Sequence, residues 1–520
     1  MALARNVFSV LDRTARSPRG SRAAFGFGGE TRTFVEVRDR ALAVSAALYG
    51  AGVKSGDRVA VMLGNRLEWP EVFFGLAALG AVCVPVNVLL AGPEVDHVCR
   101  DSAASCLIMD GIAEPAVAAA SQTPELVVTM GGASVPGALD YETLLAGSSD
   151  LPGPTQPDLH DPFILYYSSG TTGLPKAAVH THNGVLWNSF GQIPGLGLTP
   201  DDRYALVPSL SWAAGFHNLT LALVWIGGYS EIKPTGGTTG PELVAFLERS
   251  TATHVMLVPS LLRDLVGRPE LLERLRASNL RWMVTGAEPV PRAVLEVMFR
   301  ELPDIALCQG YGLSEFPTIA TVLQPDETLD HLGSAGRALP HTDIAVLLES
   351  GAIADDGRGE LLIRSLATMV GYRNLPEETE AALARGWLHT GDLVEVDAEG
   401  FVTILGRTKD LIISGGLNVY PKEIEDVLDR IPGVLEAAVV GIPHERFGET
   451  PVAVLRVADP DFATAVVLET CRTKLASYKR PRFVLLRTDP LPRSANGKLL
   501  KRELRPWAAL QLATGAAATT

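Results

Sequence analysis

Apolar positions along the chain follow two alternating rhythms. Val7–Ala15 reads as an amphipathic helix, and 38–50 as a second helix closed by Gly52. The runs 58–62, 104–109 and 125–128 are short and apolar and predict strands. Residues 72–92 carry no charge over a length that could cross a bilayer. Gly75, Gly80, Pro85 and Asn87 interrupt that stretch. It therefore reads as a buried helix over 69–79, a turn at Gly80 and a buried strand over 81–86. Helix and strand patterns alternate in this way over most of the chain, which predicts an α/β architecture with largely parallel sheets. A Pro- and Asp-rich linker at 151–162 leads into an apolar strand at 163–167. From about 357 the pattern changes to short strands at 359–364, 393–396 and 401–405, a β-rich patch. A compact α/β segment follows Arg407, and 514–520 has the composition of a disordered tail.

Composition narrows the classes. The 520 residues suggest two to four domains, and 47% hydrophobic with 20% charged residues excludes a mainly disordered chain. A net charge of −14 argues against broad nucleic-acid binding. It leaves room for an anionic small ligand held by backbone N–H groups and single lysines. The five cysteines are scattered without a CxxC pair, so neither a disulfide framework nor a zinc site is expected. Reduced thiols and a first segment without a signal-peptide core point to a cytoplasmic protein with no membrane span.

The strongest local chemistry is Tyr166-Tyr167-Ser168-Ser169-Gly170-Thr171-Thr172-Gly173-Leu174-Pro175-Lys176. An apolar strand enters a loop of glycines and hydroxyls that ends on a lysine. Such a loop grips phosphate through close backbone N–H groups, hydroxyl donors and one charge. It is not the Walker-type loop, because Lys176 follows Leu-Pro rather than Gly.

This stretch resembles the phosphate-binding signature of the adenylate-forming superfamily, which includes acyl- and aryl-CoA synthetases, carrier-protein adenylation domains and firefly luciferase. Further motifs follow in the family's order. They are Gln309-Gly310-Tyr311-Gly312-Leu313-Ser314-Glu315, Gly333-Ser334-Ala335-Gly336-Arg337 and Gly386-Trp387-Leu388-His389-Thr390-Gly391-Asp392. Gly406-Arg407-Thr408-Lys409-Asp410, the Ser414–Pro421 glycine loop and Leu491-Pro492-Arg493-Ser494-Ala495-Asn496-Gly497-Lys498 complete the series. One match is weak evidence; an ordered series over nearly the whole chain is specific.

The resemblance implies a large N-terminal domain, 1–408, with two α/β subdomains and a β-barrel. A small mobile C-terminal α/β domain, 409–520, follows, with the active site at the interface of the two. It implies ATP, Mg²⁺ and, as acceptor, CoA. Ser168, Ser169, Gly170, Thr171, Thr172, Gly173 and Lys176 would hold phosphate. Glu315 would hold Mg²⁺, for which a hard carboxylate oxygen is suited, and Ser314 would donate to the α-phosphate. Gln309, Gly310, Tyr311 and Gly312 would line the nucleotide, with the Tyr311 ring under adenine. Gly286, Ala287 and Glu288 resemble the small-residue turn beside the adenine and acyl sites; no role attaches to Glu288 itself. Asp392 and Arg407 would hold ribose or phosphate, with Asp392 in a tight turn at a strand start. Lys498 would contact the carboxylate and α-phosphate during adenylation, Lys409 would be the hinge, and Gly415 and Gly416 would border the thiol tunnel.

One stretch departs from the family's pattern. Pro208–His217 carries Ser211 or Trp212 where a histidine is usual. Trp212, Phe216 and His217 are candidate acyl-pocket residues, with core packing as the alternative for Trp212 and Phe216. His182 is either near the mouth of the site or packed. No acidic residue marks an amino-acid substrate, so an aromatic or medium-length acid is expected. A carrier-protein thiol, an amine or an inorganic nucleophile such as nitrite are alternative acceptors. A non-catalytic nucleotide-binding protein would be expected to lack Glu315, Asp392 or Lys498, and all three are present. The oligomeric state is left open.

Overall fold

The computed structural model describes residues 6–147, 157–168, 175–286, 290–459, 462–493, 499–514 and 518–519. The chain forms two compact units. One comprises Met1–Ile344 with Ile363–His389, and the other Ala345–Leu362 with Thr390–Thr520.

Two sheets dominate the first unit. In strand order, the described residues of one sheet run Gly371–Tyr372, Lys176–Thr181, Pro162–Ser168, Val82–Pro85, Arg58–Met62, Ala104–Asp110, Leu126–Met130 and Leu139–Asp140. Its centre is parallel, and Pro162–Ser168 with Lys176–Thr181 forms an antiparallel hairpin. The other sheet includes the parallel neighbours His254–Leu257, Trp282–Gly286 and Ala306–Leu313, followed by antiparallel Phe316–Leu323. The alternating rhythm therefore produces the expected α/β architecture.

Local chemistry explains the boundaries. The helix expected at 38–50 begins earlier, as Phe34–Gly50, because Thr33 and Glu36 form a reciprocal cap. The uncharged stretch folds as the helix Glu68–Leu79, a left-handed turn at Gly80 (φ +77°) and the strand Val82–Pro85. A Cβ on Gly75 would lie 2.7 Å from Val44 Cγ1, so glycine there lets the two helices approach closely. Among the described residues no helix is long and apolar enough to cross a membrane. All five cysteines are free and buried, and burial pushes the Cys106 and Cys308 thiols up to about 12.

Within the core, Phe216 stands against Phe73 with ring centroids 4.1 Å apart, and also against Phe25, Trp69 and Phe74. Each fully buried ring of this kind contributes about 1.5–3 kcal/mol.

In the second unit the β-rich patch is a five-stranded sheet of described residues, in the order Ile353–Ala354, Asp343–Leu348, Gly357–Arg364, Leu388–Val396 and Val402–Arg407. Its second strand, Asp343–Leu348, begins in the first unit. The expected strand at 393–396 begins at Leu388, so Thr390-Gly391-Asp392 lies inside the strand rather than in a turn before it. Gly391 takes φ +69° there. A second sheet carries the long antiparallel pair Val434–His444 and Gly448–Val457, with Phe483–Arg487 parallel to the latter. The helices Pro421–Leu428, Thr464–Lys474 and Lys501–Ala513 follow the α/β pattern. Of the expected tail, Thr514 ends the last helix and Ala518–Thr519 pairs with Phe483–Val484.

Candidate active site

The hairpin that leads into and out of the phosphate-loop sequence places Ser168 directly opposite Lys176. Ser169, Gly170, Thr171, Thr172 and Gly173 lie between them and outside the described residues. A second hairpin, Ala306–Leu313 with Phe316–Leu323, carries Ser314 and Glu315 at its turn. Its tightness follows from Gly312, where a Cβ would fall 1.3 Å from the Thr318 carbonyl oxygen. The two hairpins meet. Ser168 Oγ donates to Glu315 Oε1 at 3.2 Å, and Tyr372 OH donates to the same oxygen at 2.8 Å. The Glu315 carbonyl accepts the Met369 N–H at 2.9 Å. Glu315 Oε2 makes no hydrogen bond among the described residues. Lys176 Nζ is 3.7 Å from Glu378 Oε1 and 5.7 Å from the centre of the Tyr372 ring.

Deeper in the same unit, Gln309 and Thr285 face each other on parallel neighbours, and Gln309 Nε2 and Thr285 Oγ1 are buried without a hydrogen bond among the described residues. Unmet buried polar atoms of this kind point to a missing polar partner. Gly286 and Gly310 are also paired, and a Cβ on Gly286 would stand 2.5 Å from the Gly310 carbonyl oxygen. Their smallness is needed for strand approach as much as for any ligand. Tyr311 is half-buried, opposite Thr321. Ala287 and Glu288 lie outside the described residues.

Trp212 and His217 bracket the short helix Ala213–Phe216. Phe216 is fully buried in the aromatic core, in keeping with the packing alternative for this residue. His182 is likewise a packing residue. Its ring stacks on Phe163 at 4.6 Å, and its Nδ1 accepts the Val7 N–H at 3.3 Å. Trp212 is half-buried, with its Nε1 unpaired among the described residues.

His217 Nδ1 lies 3.1 Å from Tyr166 OH, and its Nε2, like that of His182, is buried with no hydrogen bond among the described residues. Burial raises the Tyr166 hydroxyl well above its usual range, so it stays protonated and is able either to donate to Nδ1 or to accept from it. In either tautomer His217 Nε2 is a buried polar atom with no hydrogen bond among the described residues. His180, also beside Tyr166, donates from Nε2 to the Ser314 carbonyl at 2.8 Å, which leaves Nδ1 as an unpaired acceptor. Burial lowers His217 and His182 to about 3 and His180 to about 4, so all three are neutral near pH 7.

In the second unit, Asp392 and Arg407 face each other across two strands, with Arg407 Nε 2.6 Å from Asp392 Oδ1. Asp392 is buried and Arg407 exposed. The Asp392 N–H donates to Thr390 Oγ1, whose hydroxyl donates to the Leu361 carbonyl. Lys409 is exposed on the short helical turn Thr408–Asp410. Gly415 (φ +61°) and Gly416 (φ +79°) form the two-residue turn of the hairpin Ile412–Ser414 and Leu417–Val419. That turn type needs positive φ at both places, which explains the glycine pair locally. Lys498 lies outside the described residues.

The structure thus joins Ser168, Lys176 and Glu315 in one place. Sequence reading missed Tyr372, Glu378 and His180, and it gave Tyr166 no role beyond membership of the phosphate-loop stretch. Nothing in the spacing of Gly371-Tyr372 or Pro376-Glu377-Glu378-Thr379 marks contact with residues some 200 positions away.

Comparison with known proteins agrees with this geometry. The profile of the AMP-binding enzyme family matches residues 11–373, and that of the AMP-binding enzyme C-terminal domain matches 423–498. The long-chain-fatty-acid–CoA ligase FadD13 of Mycobacterium tuberculosis is 34% identical over 481 residues, covering 91% of this chain and 92% of that protein. Feruloyl-CoA synthase of an Amycolatopsis species is 34% identical over 500 residues, covering 95% and 97%. The anthranilate CoA ligase AuaEII, solved in complex with anthranoyl-AMP, superposes with a TM-score of 0.86 at 26% identity, over 98% of this chain and 99% of that one. The chain therefore belongs to the AMP-binding enzyme family, the adenylate-forming superfamily that the ordered motifs resemble.

Proposed function

We propose that this chain is an AMP-forming acid:CoA ligase. The observation that carries the reading is the meeting of the two hairpins, which holds the Glu315 carboxylate against Ser168 at the root of the phosphate loop and next to Lys176. The similarity of the whole chain to acid–CoA ligases supports it.

In the first half-reaction a carboxylate oxygen of the acid attacks the α-phosphorus of ATP. The bond from that phosphorus to the bridging oxygen breaks, and pyrophosphate leaves with the acyl-adenylate formed. Two anions must approach, so positive charge and donors have to offset their repulsion. Lys176 and the residues of 169–173 bind phosphate in this reading, and Lys498 contacts the reacting carboxylate and α-phosphate. Ser314 donates to the α-phosphate. Among the described residues no group of three or more His, Cys, Asp or Glu is arranged to hold a metal. A lone carboxylate such as Glu315 suits Mg²⁺, which takes its other oxygens from phosphates and water. When bound, that ion would neutralise phosphate charge. Gln309 and Thr285, with their unmet polar atoms, fit the polar edge of a base; the ribose role of Asp392 and Arg407 rests on the family resemblance. In the second half-reaction the CoA sulfur attacks the acyl carbon, the bond to the AMP oxygen breaks, and the thiol proton passes to solvent. Gly416 has no atom within 4 Å of where a Cβ would be, which suits a slender pantetheine arm beside Gly415.

The acid is an aromatic or medium-length carboxylic acid. Half-buried Trp212 and the buried, unpaired Nε2 of His217 support a flat or modest acyl group over a long unbranched chain. The test is pyrophosphate exchange over a panel of acids, followed by mass spectrometry of products with CoA, amines and nitrite offered separately. A CoA thioester of an aromatic or medium-length acid is the expected product. AMP release with no thioester would replace CoA by another acceptor.

A further inference from the structure

We propose that Tyr372 is a positioning residue that holds the two charged groups of the nucleotide site, fixing Glu315 through its hydroxyl and Lys176 through the face of its ring. This rests on the reading of Glu315 and Lys176 given above, and goes beyond it by assigning a residue outside the motifs that carry that reading.

Tyr372 touches both groups with different parts of one side chain. Its OH donates to Glu315 Oε1 at 2.8 Å, and Lys176 Nζ lies 5.7 Å from its ring centre. Both described donors to Glu315, Tyr372 and Ser168, converge on Oε1. Two donors on one oxygen set the rotation of the carboxylate and leave Oε2 for a ligand, the arrangement a carboxylate needs to offer one oxygen to a hard cation. A ring face beside an ammonium stabilises the cation without neutralising it, so Lys176 keeps its charge for phosphate.

Tyr372 is itself held from several sides. It pairs with Ala178, two residues beyond Lys176 on the same strand. Its N–H donates to Thr379 Oγ1 at 2.8 Å. The preceding Gly371 has φ +150°, and a Cβ there would lie 2.6 Å from Thr379 Cγ2, so the short strand and the helix Pro376–Ala382 fit together only with glycine at that point. The same helix supplies Glu378, 3.7 Å from Lys176 Nζ. One segment, Gly371 to Ala382, therefore reaches both the carboxylate and the lysine.

The hydroxyl and the ring are separable by substitution. Tyr372→Phe keeps the ring and loses the bond to Glu315; Tyr372→Leu loses both. ATP binding to the full chain, without acid and so without turnover, is measured by calorimetry with Mg²⁺ and again with EDTA. Tyr372→Phe is expected to weaken binding about tenfold with Mg²⁺ and to leave binding in EDTA unchanged, the scale of one hydrogen bond to a charged group. Tyr372→Leu is expected to weaken binding severalfold in EDTA as well. The double variant Glu315→Gln with Tyr372→Phe should bind no more weakly than Glu315→Gln alone, because the hydroxyl acts through that carboxylate. Parent-like Mg²⁺-dependent binding by Tyr372→Phe, or losses that add in the double variant, would overturn the proposal. Parent-like binding by Glu315→Gln would instead overturn the reading of Glu315 on which it rests.

Discussion

Glu315 shows how much one side chain's neighbours decide. Its sequence context marks a carboxylate after a glycine-rich turn; its two donors on Oε1 show which oxygen is left for a ligand. Glu315→Gln removes the charge and should lower pyrophosphate exchange about a hundredfold or more at saturating acid. Exchange rates titrated with MgCl₂ check this, and a variant matching the parent across the titration would reduce Glu315 to a turn residue. The buried histidines make a second prediction. His180, His182 and His217 fold with values of about 4, 3 and 3, against 6.5 for an unperturbed imidazole. Below 6.5 the unfolded chain takes up protons that the folded chain refuses, so their stabilisation is complete above 6.5 and is lost as pH falls toward 3–4. At pH 5.5 each costs on the order of 1 kcal/mol. The urea midpoint of unfolding should therefore fall between pH 7.5 and 5.5. His182→Asn, whose amide oxygen can still accept the Val7 N–H, should flatten that fall; an unchanged slope would refute the assignment.

At the scale of elements, the glycine-rich motifs carry backbone geometry as well as ligand contacts. Gly312→Ala would force a Cβ into the Thr318 carbonyl, so the hairpin bearing Ser314 and Glu315 has to open. The expected result is a loss of about 1–3 kcal/mol in stability together with a large fall in adenylation. Circular dichroism melts and exchange assays would check the pair, and full activity would show that the hairpin's tightness is dispensable. Phe216→Ala should cost about 3–5 kcal/mol with little change in the Michaelis constant for the acid, because the ring packs on Phe73 rather than on a ligand. A changed acid preference would return Phe216 to the pocket. Helices and strands were legible where their periodicity is strong, as at 58–62. Their ends were not where a cap or a partner strand decided them: Thr33 with Glu36 extends one helix, and pairing to Arg407 draws Asp392 into its strand.

Across the whole molecule, the family profiles match 11–373 and 423–498, and the proposed activity divides into two half-reactions. In the proposed assignment Lys498 serves only the first. Lys498→Ala should abolish adenylate formation from acid and ATP by about a thousandfold or more, yet still convert a supplied acyl-adenylate and CoA to thioester. Separate assays of the two steps decide the matter, and loss of both would show that Lys498 is not confined to adenylation.

The alternating rhythm determined the α/β class and the order of motifs the family, and the motifs supplied the candidate charged residues because phosphate binding demands particular residue types at close spacing. The tertiary structure alone decided their roles relative to one another. Whether His182 and Phe216 line a pocket or fill a core depends on which rings lie against them, and those rings come from distant segments. Tyr372 and His180 were invisible for the same reason. Each is ordinary in its own stretch of sequence and acquires a role only where the pairing of strands brings it to Glu315 or to the Ser314 carbonyl.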